Sequence, residues 1–111
     1  MAGNWKAAAD FVERLVQEYK AKPHAEILQL PRSAPVQRSD APAGFDVLME
    51  HGPMLNATSS VTFEAARPQL FGLRWRYVVA GFEVTPEGAV TEYPTRYQSE
   101  SYSERKRRLS W

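Results

Sequence analysis

The stretch Leu70–Val84, LFGLRWRYVVAGFEV, limits what this chain can fold into more than any other. It is the longest apolar and aromatic run, and from Leu73 to Val79 it alternates strictly. Leu73, Trp75, Tyr77 and Val79 fall on one face, Arg74 and Arg76 on the other. A period of two marks a half-buried strand, and aromatic and β-branched residues suit its pleated surface. Trp75 and Tyr77 are therefore expected to pack against the core, with the two arginines in solvent. After Val79 the phase changes, because Phe82 and Val84 belong to the arginine face. A bulge at Ala80–Gly81 would restore it, since one extra residue swaps the faces and glycine accepts unusual dihedrals. Residues 70–84 thus read as one long bent strand. Thr85-Pro86-Glu87-Gly88 supplies the next turn, with proline preset near the φ it needs and glycine at the exit. The partner strand is Ala89–Tyr97, with Val90 and Tyr93 as packing residues, and Pro94 places it at a sheet edge because proline cannot donate to a ladder.

Upstream, Trp5, Ala8, Val12, Leu15, Val16 and Tyr19 recur at three and four, which predicts an amphipathic helix from Trp5 to Lys20 with Asn4 as its N-cap. Pro23 closes it. Ala25–Leu30 reads as a short strand, and the proline-rich segment Pro31–Gly44 as a long loop. Phe45–Met49 and Ser59–Ala65 read as further strands, the second with Val61 and Phe63 inward, and His51-Gly52-Pro53 as a turn. In the segment 99–111, Ser101 with Glu104 three residues on has the spacing of a capping box.

These elements predict an α+β fold: an N-terminal amphipathic helix packed on a curved, mainly antiparallel sheet of about five strands. The order resembles that of cystatin-like and nuclear-transport-factor-2-like (NTF2-like) folds, a resemblance of element order alone that implies nothing about activity. At 111 residues the chain has room for one core, so residues 1–98 are expected as a single domain and 99–111 as a basic C-terminal tail.

Charge and composition narrow the function classes. The formal net charge is +1, with 14 basic and 13 acidic residues, too balanced for a dedicated duplex-DNA binder. Without cysteine there is no disulfide framework and no thiol chemistry, which fits a cytoplasmic protein. No signal-peptide pattern and no apolar run of about 20 residues is present, so no membrane role is expected. The nucleotide-cradle and serine-elbow motifs GxGxxG, GxxxxGK[ST] and GxSxG are absent.

Three readings of function remain. The leading one is a non-enzymatic binding or adaptor domain acting on another protein or on itself, with the aromatic-ended basic tail as a docking segment. The second is a single-stranded nucleic-acid binder, since arginines pair with phosphates and aromatic rings stack on unpaired bases. Both use the same candidates: Arg74, Arg76, Arg105, Lys106, Arg107, Arg108 and Trp111. The third is a small enzyme, with His51 and a carboxylate from among Asp46, Glu50 and Glu64, or with His24, in the mouth of the sheet. Neither histidine has a recognised ligand spacing, so no metal, cofactor or catalytic set is assigned.

Overall fold

The computed structural model describes residues 4–109. Helix α1 spans Trp5–Lys20 and buries Ala8, Phe11, Val12, Leu15 and Val16 along one stripe, as its spacing predicts. Asn4 stands at the cap position, but its side chain makes no capping bond. The first turn is closed instead by the Ala8 N–H donating to the Asn4 carbonyl at 3.0 Å.

The strand expected over Ala25–Leu30 is a short helix, α2, at His24–Leu28. Pro23, at φ −59°, precedes it, and a proline is tolerated at a helix start because the first N–H groups have no intrahelical partner. Strand β1, Ser33–Pro35, forms inside the segment expected as loop and pairs with β2, Asp46–Pro53. The turn expected at His51-Gly52-Pro53 is part of β2, whose ladder with β3 (Ser59–Gln69) continues to Pro53 opposite Ser59. Strands β4 (Arg74–Val84) and β5 (Val90–Ser101) complete an open antiparallel sheet of order β1-β2-β3-β4-β5. The fold is α+β, with β5 at an edge as Pro94 requires. The turn between β4 and β5 also forms as expected, with Gly88 at φ +90° and its N–H donating to the Thr85 carbonyl at 2.9 Å.

Register fixes which residues share a face. Val61 lies opposite Phe82, Phe63 opposite Ala80, and Ala65 opposite Val78. With Val47, Met49 and Val84 they make the apolar face that meets α1. Each valine, phenylalanine or methionine among them contributes about 1.5–3 kcal/mol when fully buried. The stripe Val78, Ala80, Phe82, Val84 keeps one phase throughout, and the β3–β4 ladder runs unbroken from Ser59–Val84 to Gln69–Arg74.

The expected orientation of the central strand is therefore reversed. Arg74 and Arg76 lie on the α1 side, while Trp75 and Tyr77 lie on the other. The reason is that both faces are covered: Tyr77 and its neighbour Val78 are both buried, and in a strand packed on two sides polarity no longer marks the inner face. The irregularity opposite Ala80 belongs to β5. Between the pairs Val79–Arg96 and Gly81–Tyr93, β4 advances two residues and β5 three, placing the extra residue at Pro94–Thr95, where no ladder bond from Pro94 could form. Val90, expected to pack, is 40% exposed. Residues Leu70–Gly72 are a 3-10 turn rather than strand, with Leu70 and Phe71 at φ +51° and +57°.

The second face is closed by α3, Tyr102–Arg108. Its capping box forms as the spacing of Ser101 and Glu104 predicts. The Glu104 N–H donates to Ser101 Oγ at 3.1 Å, and the Ser101 N–H to Glu104 Oε1 at 2.8 Å.

At Gly81 the neighbouring strand β3 leaves no room for a side chain. A Cβ there would stand 2.5 Å from the Val61 carbonyl oxygen and 2.8 Å from Thr62 Cγ2. Gly81→Ala is expected to lower stability by about 3 kcal/mol, the upper end for overpacking, because backbone rather than a flexible side chain must yield. Urea denaturation checks this, and an unchanged midpoint would contradict it.

Candidate functional site

Two arginine-bearing surfaces emerge, one on each face of the sheet. On the α3 side, Glu50, Glu64 and Glu100 come from β2, β3 and β5. Arg105 and Arg108, three apart on α3, project together onto them. Arg105 Nη1 lies 2.8 Å from Glu64 Oε2 and 3.3 Å from Glu100 Oε1, and the Arg105 and Glu64 side chains are 2% and 3% exposed. Arg108 reaches Glu64 Oε1 at 2.9 Å, Glu100 Oε1 at 2.7 Å and, more loosely, Glu50 Oε1 at 3.4 Å.

The flat sides of both guanidinium groups rest on aromatic rings. Arg105 Cζ is 4.4 Å from the Trp75 centroid, and Arg108 Cζ is 4.8 Å from that of Tyr77. Stacking while pairing in plane is a geometry that arginine permits and lysine does not. Tyr77 Oη donates to Gln98 Oε1 at 2.7 Å, and burial raises the Tyr77 hydroxyl above its ordinary pKa.

Three carboxylates share two guanidinium groups in this cluster, and the least firmly held one shows the imbalance. Burial, followed by repulsion from Glu64, raises Glu50 above the usual carboxylate range against the pull of Arg108. For Arg108, burial opposes the charge, but hydrogen bonds to Glu100 and the field of Glu64 outweigh it and hold the group above its normal range.

On the α1 side the strand arginines meet different neighbours. Arg76 Cζ sits 4.9 Å from the Trp5 ring and 6.0 Å from the Tyr97 ring, and Arg67 Cζ 5.1 Å from the Phe45 ring. Trp5 in turn packs edge-to-face on Phe45 at 4.9 Å and on Tyr97 at 6.2 Å. Arg74 Nη2 donates to Ser99 Oγ at 3.3 Å.

Thus Arg74 and Arg76 come together, while Arg105 and Arg108 are engaged on the opposite face. Lys106 and Arg107 are exposed on α3, and Trp111 lies outside the described residues. The sequence reading missed Arg67, Trp5 and Tyr97 as companions of Arg76. Arg67 could have been found once β3 was extended, because it lies directly opposite Arg76.

His51 does not converge with Glu50. A cavity of about 510 Å³ is bordered by Arg32, Glu50, His51, Thr62 and Arg108. However, Glu50 pairs with Thr62 and His51 with Val61 on a continuous ladder, so the two side chains leave opposite faces. His51 Nδ1 is 3.1 Å from the Leu30 carbonyl oxygen, which fixes the ring and assigns the proton to Nδ1. Among the described residues no three His, Asp or Glu side chains gather as a metal-binding group. No helix there is long and apolar enough to cross a membrane. No family model, curated protein or solved structure matches the chain.

The raised pKa of Glu50 carries a sign. A carboxyl held above its ordinary value contributes stability below the unfolded pKa, and this is lost as pH rises through the folded one. Glu50→Gln removes that loss. Its melting temperature is expected to exceed that of the parent at neutral pH and to match it at pH 3–4, as thermal denaturation across the series would show. A lower value at neutral pH would instead mean that the Arg108 contact dominates.

Proposed function

We propose that this chain is a non-enzymatic binding domain that docks on a protein partner through the tip of its β3–β4 hairpin. The observation that carries the reading is Phe71. Its side chain is fully exposed, and it stands with Leu70 in the left-handed region of backbone space, at φ +57° and +51°. Each such non-glycine residue costs about 1–2 kcal/mol. Strain of this kind is characteristic of binding and switch segments. Leu70 and Leu73 are 68% and 71% exposed beside it, and Tyr102 adds a partly exposed ring.

The first turn of α3 is tied to this tip, since the Tyr102 N–H donates to the Leu73 carbonyl at 2.9 Å. Arg74 follows the tip, and its charge helps hold the Glu104 carboxyl below the usual range, behind the two hydrogen bonds at Ser101. An apolar and aromatic centre with a charged rim has the composition of an interface core and its margin. The C-terminal residues then act by buttressing the tip rather than as a separate docking tail. A cysteine-free domain of this sort suits a reducing cytoplasm.

A photo-crosslinking amino acid placed at position 71 should trap a discrete protein adduct in cells, and the same group at Glu87 should not. Sedimentation of the purified chain separates self-association from a foreign partner. Phe71→Gly should abolish the adduct's counterpart in binding while raising folding stability by about 1 kcal/mol, because glycine relieves the strain. Equal crosslinking from positions 71 and 87 would overturn the reading.

A further inference from the structure

We infer that the uncovered end of the sheet on the α1 side is a platform for single-stranded nucleic acid, formed by Arg67, Arg74 and Arg76 with Trp5 and Tyr97. Helix α1 begins at Trp5, and among the described residues no helix lies over the sheet beyond that ring. Two rungs of the ladder lie there, Arg67–Arg76–Ser99 and Gln69–Arg74–Ser101, and Tyr97 stands on the rung before them. Neither rung holds an acid. Arg67 and Arg76 are directly opposite, a like-charge pairing that costs stability in a sheet. Among the described residues, none of the three arginines takes part in an ion pair. The chain thus holds an uncompensated cationic rung, and a bound anion would relieve it.

The stacking described above selects the kind of anion. Resting on Trp5 and Phe45 fixes the guanidinium planes of Arg76 and Arg67 and leaves their N–H edges for bidentate pairing with phosphate. Arg74 and Arg76 are exposed, and Tyr97 is 49% exposed. An exposed ring and guanidinium plane on a flat sheet are the surfaces on which unpaired bases stack. Three adjacent strands span roughly 10 Å across the ladder, room for about two or three stacked bases of the kind sheet platforms hold. A duplex would demand a larger basic excess than the net charge of +1 provides. The basic residues of α3 lie on the other face and do not belong to this platform.

Fluorescence anisotropy with a labelled oligouridylate tests the inference. Binding should be measurable at low salt and weaken as salt rises, with a logarithmic slope of about −0.7 per phosphate contact. Arg67→Gln and Arg76→Gln should each reduce that slope by about 0.7 and weaken binding about tenfold. Tyr97→Ala should weaken it about tenfold or more with the slope unchanged, and Lys106→Gln should alter neither. Melting curves establish that each variant folds. Should the Arg76 variant fail to fold, Arg74→Gln, at an exposed side chain that donates to Ser99 Oγ, makes the same slope test. Phe71→Gly should leave oligonucleotide binding intact, which separates this platform from the hairpin tip. No binding at low salt, a slope unchanged in the arginine variants, or capture by phosphatidylserine vesicles without oligonucleotide binding would each overturn the inference.

Discussion

The contact between Glu64 and Arg105 is the constraint from which the rest of this architecture follows. Glu64 sits in the middle strand of the sheet, paired on both sides, so the backbone cannot turn its carboxylate toward water. A buried carboxylate needs a buried cation or it destabilises the fold by several kcal/mol. Arg105 meets that need at 2.8 Å, and the capping box at Ser101 and Glu104 starts α3 where the arginine can reach. The last described helix is therefore bound to the sheet by charge and cation–aromatic stacking, whereas the first is bound by apolar packing.

This division gives the sheet two unlike faces and explains where its exposed features fall. The face under α1 is apolar as far as Trp5 and then becomes basic, with Arg74 and Arg76 exposed. The opposite face is spent on internal pairing. At the hairpin between β3 and β4, left-handed backbone at Leu70 and Phe71 directs apolar side chains outward. The two surfaces proposed for binding share one end of the molecule but use different side chains, so their occupancy is separable by mutation.

Much of the frame was legible in the sequence because local signals and tertiary packing agree there. The spacing of α1, the inward Val61 and Phe63, the Pro86–Gly88 turn, the edge position of Pro94 and the Ser101–Glu104 box each rest on short-range chemistry that the fold leaves undisturbed. The orientation of Trp75 and Tyr77 was not legible. Alternation tells which residues share a face, and large rings beside arginines look like the inner set. Here those rings are sandwiched beneath the arginines of a helix some thirty residues downstream, a long-range contact with no local signature. Ala25–Leu30 failed differently: six residues are too few for periodicity to separate a strand from a short helix behind a proline. Of the candidate site, Arg74 and Arg76 were visible as residues, but their true neighbours required the β3–β4 register.

A double-mutant cycle on Glu64→Gln and Arg105→Met, measured by urea denaturation, tests most directly whether this buried pair holds the second face together. Each single change should cost about 3–5 kcal/mol. The double change should cost less than their sum by about 2 kcal/mol or more, because neither partner is then left buried and unpaired. Strictly additive losses would show that Glu64 and Arg105 do not depend on each other, and would contradict the account of how α3 closes the fold.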